Sequence, residues 1–202
     1  MDYMFIMQGE KMKIGIDLGG SHIAVGLVTE EGKILLKKQM NITFKKNDKN
    51  DIYKQIRDSI ISLINHVLKE TQVPIFVVEE IGIGIPGIVE NNTIIKCDKY
   101  GIKNWDIAKE ISDFYQIPVI VQNDAMCAAK AEKEYGNLRK GKKLVFICLG
   151  TGIGGAAILN NKVFPSEYGH MIIQKGGNKW KWGKNGCFDT YASMKTFKDE
   201  VI

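Results

Sequence analysis

Apolar and polar positions alternate along Lys13-Ile-Gly-Ile-Asp-Leu-Gly-Gly-Ser-His-Ile-Ala-Val-Gly-Leu-Val28. This predicts two strands joined at Gly19-Gly20, with Gly32 turning the chain into a third strand over Lys33–Met40. Between Asp48 and Lys69 the period changes: Ile52, Ile56, Ile60, Leu63, Ile64, Val67 and Leu68 recur at helical spacing, the mark of a helix with one buried face. Glu80 to Gly87 reads as a buried strand closed by a Pro-Gly turn, and its internal glycines mark a close approach of backbone to ligand or packing. Asn104-Trp105 opens a helical run to about Tyr115, with Trp105 as a core residue. A β-branched strand then ends at Gln122, and an alanine-rich helix follows Asn123-Asp124. Lys143–Leu149 is a continuous apolar strand that passes through Gly150-Thr-Gly-Ile-Gly-Gly155 into a second strand, Ala156–Leu159. A last helix starts near Tyr191 and reaches Ile202 without a stop signal, which reads as a sequence cut rather than finished.

The chemistry gathers where these elements meet. Asp124 stands at a strand-to-helix switch, where exposed amides and the helix dipole favour an ionised carboxylate. Carboxyl ends of strands are also where open α/β sheets bind ligands. Asn123-Asp124 is therefore either a plain helix cap or part of a site. Glycines in the first turn allow backbone amides to approach an anion, so Gly19, Gly20 and Ser21 form either a plain hairpin turn or a phosphate loop, with Asp17 then facing the phosphate and its magnesium. Gly150-Thr151-Gly152 and Gly154 repeat the device of strand, glycine turn with a hydroxyl residue, and strand. Two such turns in one chain read as two halves of a phosphate clamp.

Composition narrows the class. The chain has 202 residues, 45% hydrophobic and 25% charged, enough to bury a core. No apolar run approaches the ~20 residues of a membrane span, and the start lacks signal-peptide character, so the expected setting is cytoplasmic. The net charge of +5 comes from lysines scattered among acids, which gives no footprint for nucleic acid. Cys97, Cys127, Cys148 and Cys187 are widely spaced and read as reduced structural thiols. Met1, Met4, Met7 and Met12 leave residues 1–12 as a tail or a start artefact.

Assembled, these residues resemble the ROK family (repressors, open reading frames and sugar kinases), from Lys13 to Ser193. Asp17-Leu-Gly-Gly-Ser21 is similar to its first phosphate loop, Gly84-Ile-Pro-Gly87 to its sugar-side turn, and Asn123-Asp124-Ala125 to its catalytic segment. Gly150-Thr-Gly-Ile-Gly-Gly155 resembles its second phosphate loop, and Glu167-Tyr-Gly-His170 its sugar-recognition motif. The resemblance implies an α/β, actin/hexokinase-like (ribonuclease H-like), two-lobed ATPase fold, with residues 13–122 as the first lobe and 123–202 as an incomplete second lobe. It implies ATP-dependent phosphorylation of a hexose 6-hydroxyl, glucokinase-like, with Asp124 as general base, magnesium accompanying ATP, and Gly87, Asn123, Glu167, His170 and Asp189 binding the sugar. N-acetylmannosamine kinase is the nearest alternative, and a non-catalytic sugar-binding paralogue a second. DNA-binding repression is not expected, because family repressors carry an N-terminal helix-turn-helix and only residues 1–12 precede the first strand. The partner is then a hexose or N-acetylhexosamine, with a homodimer as the assembly that the family suggests.

Departures from the family pattern are informative. Asp189 stands where Glu is usual, Met126 where many members have Asn, and the Asn that commonly precedes the tryptophan is missing. Many members bind a structural zinc through the motif's His and three cysteines. Here the array reads Trp180-Lys-Trp182-Gly-Lys-Asn-Gly-Cys187, and His170 and Cys187 alone cannot close a tetrahedral site. No zinc is expected, with Trp180 and Trp182 replacing it by packing.

Overall fold

The computed structural model describes residues 11–42, 49–150, 152–180 and 184–201. Residues 1–10, Thr151 and Trp182, all named above, lie outside them. The chain forms two compact units, Met1–Asp124 and Ala125–Ile202.

The first unit is built on a five-stranded sheet. Strands β1 (Met12–Leu18), β2 (His22–Thr29) and β3 (Ile34–Asn41) form the antiparallel meander that the alternating pattern predicts. The chain crosses through helix α1 (Lys49–Thr71) to β4 (Val78–Ile85), which pairs parallel with β1. A small antiparallel sheet of β5 (Ile88–Glu90), β6 (Thr93–Cys97) and β7 (Ile102–Trp105) comes next. Helix α2 (Ile107–Tyr115) then leads to β8 (Val119–Asn123), parallel to β4. The strand order is β3-β2-β1-β4-β8.

Periodicity explains the packing. In β1 Met12, Ile14, Ile16 and Leu18 are buried while Lys13, Gly15 and Asp17 are exposed, the period of two that puts alternate side chains on opposite faces. Ile56, Ile60, Ile64 and Val67 of α1 are fully buried. They form one cluster with Ile81 and Ile83 of β4 and Ile107 and Ile111 of α2. Each such side chain contributes about 1.5–3 kcal/mol on burial.

One prediction fails here. Asn104 and Trp105 lie in β7, not in a helix, and Trp105 pairs with Ile94 across the hairpin. The helix begins after Asp106, whose side chain caps it by accepting the Lys109 N–H. Trp105 is buried, as expected of a core residue, and its indole N–H donates to Glu110 at 2.8 Å.

In the second unit, helix α3 (Asp124–Glu134) is followed by β9 (Lys143–Leu149), β10 (Ile153–Leu159) and β11 (Lys162–Pro165), ordered β11-β10-β9. Met126 and Ala129 of α3 pack with Ala156, Phe146 and Val163 on one face of this sheet. Strand β10 starts earlier than its sequence suggests, so Gly154 and Gly155 belong to the strand. Helices α4 (Asp189–Ala192) and α5 (Met194–Val201) follow, separated by Ser193, whose hydroxyl oxygen accepts the Thr196 N–H at 3.2 Å. Among the described residues, no helix is long and apolar enough to cross a membrane.

Candidate active site

Three parallel strands of the first unit end side by side, and the candidate residues stand at those ends. The register aligns Asp17 with Gly84 and Gly84 with Gln122, and Ile85 with Asn123. At about 4.8 Å per strand, Asp17 and the end of β8 are separated by one intervening strand. Asp124 opens α3 directly after β8 and is half-buried. Asn123 donates through Nδ2 to the Gly87 carbonyl at 3.1 Å and through its backbone N–H to Gln122 Oε1 at 2.9 Å. Gly87 is there for space, since a Cβ would come within 2.5 Å of the Lys96 carbonyl oxygen. Gly82, in contrast, has nothing within 4 Å of that position, so the strand glycines do not share one cause.

The tip of the β6–β7 hairpin completes this cluster with residues that the sequence did not single out. The Cys97 thiol donates to the Pro86 carbonyl at 2.8 Å, and burial, with Asp98 and Asp124 adding to it, pushes the thiol's pKa up. Tyr100 donates its hydroxyl to the Gly19 carbonyl. Burial holds Tyr100 well above the ordinary tyrosine range, and the charges of Cys97, Asp17 and Asp124 act in the same direction. It is therefore a hydroxyl donor at neutral pH. Gly19 is also closed from within its turn: its N–H donates to the His22 carbonyl at 2.9 Å, and His22 Nε2 lies 3.4 Å from Asp17. A hairpin turn at residues 98–101 was legible from Gly101, which has φ of 69°. That it reaches the Gly19 turn was not.

The second unit holds the other candidates. Gly150 N–H donates to the Gly152 carbonyl at 2.8 Å, closing the turn. Gly154 faces Cys148 Sγ at 2.9 Å and Ala125 Cβ at 3.0 Å from its Cβ position, so packing against the start of α3 accounts for it. Asp189 accepts the Ile153 N–H at 2.6 Å. Its carboxylate also lies where a Cβ on Gly169 would go, 2.2 Å away. The glycine of Glu167-Tyr-Gly-His170 is thus pressed against Asp189, tying that motif to the start of β10. His170 Nδ1 is 3.6 Å from Glu167 Oε2, both exposed. The Trp180 ring lies 4.5 Å from the His170 ring, tilted by 54°. Cys187 is buried, with its thiol 3.7 Å from both the His170 and Lys184 carbonyls. Among the described residues no group of three or more His, Cys, Asp or Glu is arranged to hold a metal ion.

A model of the ROK family matches residues 13–201. The chain belongs to the ROK family. Among its ROK relatives, the xylose repressor of Bacillus subtilis (strain 168) is 31% identical over 191 residues, covering 90% of this chain and 48% of the repressor. The glucokinase of Thermotoga maritima is 31% identical over 194 residues, covering 92% of this chain and 58% of that enzyme. A solved ROK family glucokinase from Streptomyces griseus, in complex with glucose and AMPPNP, is 28% identical with a TM-score of 0.76, covering 92% of this chain and 58% of that one. This ROK chain has the actin/hexokinase-like α/β fold. It spans about half the length of the curated relatives it matches, 48% and 58% of the two named here.

Proposed function

We propose that this ROK chain serves ATP-dependent phosphorylation of a hexose at its 6-hydroxyl, as a glucokinase does, with Asp124 as general base. The observation that carries the reading is the half-buried Asp124 at the carboxyl end of β8, in the same sheet as Asp17 and the Gly19 turn. Phosphoryl transfer asks a protein mainly for in-line positioning and charge neutralisation, plus a group to receive the hydroxyl proton. Asp124 would accept that proton as the sugar oxygen attacks. Asn123, already anchored to Gly87, would orient a sugar hydroxyl, and Glu167 and His170 would grip others. Asp189 would take part less directly, because one of its oxygens is occupied by Ile153.

The residues suit magnesium-ATP. The Gly20 and Ser21 amides make no backbone hydrogen bond among the described residues, as a phosphate-binding turn requires. Those amides, with Gly150, Thr151 and Gly152, would hold the phosphates, and Asp17 would meet the magnesium through its waters. ATP supplies the transferable phosphoryl group.

N-acetylmannosamine is the alternative acceptor. A second reading, sugar binding without transfer, is favoured by the xylose repressor, which is as similar to this chain as the glucokinase is. The test is ADP release from magnesium-ATP across hexoses and N-acetylhexosamines, paired with calorimetric sugar binding. Turnover with one sugar supports the kinase and names its acceptor. Sugar binding with no turnover on any acceptor supports the second reading instead.

A further inference from the structure

The hairpin that locks the first glycine turn also brings a charge to it. Lys99 Cε lies 3.5 Å and Nζ 3.7 Å from the point that a Cβ on Gly20 would occupy. The next residue, Tyr100, pins the hairpin there through the Gly19 carbonyl. Two neighbouring carboxylates have partners of their own: Asp98 pairs with Lys96 at 2.9 Å, and Asp17 meets His22 at 3.4 Å. Lys99 itself forms no ion pair among the described residues. The Gly20 and Ser21 amides of the same turn make no backbone hydrogen bond among those residues.

Among the described residues, an ammonium with no ion pair and two amides with no backbone acceptor are donors open to a ligand. Successive backbone N–H groups in a turn make an anion-binding concavity, and a lysine adds a charge-assisted hydrogen bond to a phosphate oxygen. The nearby Tyr100 hydroxyl does not compete, because its proton is directed at Gly19.

We infer that Lys99 is a phosphate-contacting residue of the Gly19-Gly20-Ser21 turn, its ammonium group gripping a terminal phosphoryl oxygen of a phosphorylated substrate. Identifying that oxygen with the transferred group rests on the kinase reading; the anion contact does not. The same chemistry fits the end of a polyphosphate donor or a sugar phosphate, and two probes distinguish them.

The experiment titrates the ¹⁵N-labelled 202-residue chain with inorganic pyrophosphate and, separately, with glucose 6-phosphate, following the Gly20 and Ser21 amide resonances. The variants are Lys99→Ala, Lys99→Arg and Lys103→Ala, the last removing an equal charge from strand β7. One of the probes should shift both resonances, with Kd raised about tenfold in Lys99→Ala, the loss expected for a charge-assisted hydrogen bond. Lys99→Arg should recover most of the affinity and Lys103→Ala should match the parent. Unchanged thermal midpoints would show that the exposed substitutions leave the fold intact. A response to pyrophosphate would assign the contact to the donor, and a response to glucose 6-phosphate to the product. Resonances that ignore both probes, or respond equally in Lys99→Ala, would overturn the inference. Hexose phosphorylation that is absent while the Lys99-dependent response persists would instead overturn the kinase reading and leave the anion contact standing.

Discussion

At the scale of single residues, the candidate site is held by groups too large or too small to exchange. Gly87 is one of them: a Cβ there would meet the Lys96 carbonyl oxygen at 2.5 Å and Cys97 Cβ at 3.2 Å. Gly87→Ala should destabilise the protein by about 1–3 kcal/mol, the cost of overpacking against a backbone atom that cannot rotate away, read as a lower denaturation midpoint in urea. Tyr100 and Tyr115 give the alkaline behaviour. Burial pushes Tyr115 up to about 12 and Tyr100 well above its ordinary value. Unfolded tyrosines ionise near pH ~10, so above that pH the unfolded chain loses protons that the fold retains. Their stabilisation is complete below about pH 10 and falls as pH rises, by up to about 1.4 kcal/mol per pH unit for each tyrosine. Tyr100→Phe should flatten that decline, measured as thermal midpoint against pH; an unaltered slope would contradict the burial argument. The residues that sequence found are those with a local cause. Asp17 ends a strand, Asp124 starts a helix, and glycines mark turns. Tyr100 was invisible because its partner Gly19 is 81 residues away, and nothing in Asp98-Lys-Tyr-Gly101 says which turn the hairpin will reach. Asp189 was legible as a site residue only by resemblance, and its hydrogen bond to Ile153 depends on a fold contact spanning 36 residues.

At the scale of elements, periodicity recovered β1 and α1 because each buries one face, and apolar runs recovered β4 and β9. It failed at β7, whose four residues are too few to show a period, and whose Trp105 is buried by pairing with Ile94 rather than by helical packing. The true signal was Asp106, a cap residue immediately before the apolar positions Ile107 and Ile111. Asp106→Ala should cost about 0.5–2 kcal/mol, seen as reduced stability in denaturant with the m-value unchanged. Gly154 shows the same limit from the other side. A glycine run looks alike in sequence whether it turns or packs, and only the pairing of Gly154 with Cys148 across β9 and β10 separates the two.

At the scale of the whole molecule, the second unit leaves apolar surface exposed on an edge strand: Val145, Ile147 and Leu149 of β9 are 59%, 47% and 58% accessible. Exposed apolar edges invite association. Val145→Lys combined with Ile147→Lys should lower concentration-dependent light scattering while leaving the far-ultraviolet circular dichroism unchanged. Asp124→Asn tests the proposed general base most directly, because the amide keeps the shape and cannot accept the hydroxyl proton. Sugar-dependent ADP release and calorimetric sugar binding would be measured on both proteins with the acceptor identified by the sugar panel. The account predicts that turnover falls by about 10²–10⁴-fold while sugar affinity stays within a few-fold. Turnover in Asp124→Asn equal to that of the parent would contradict it.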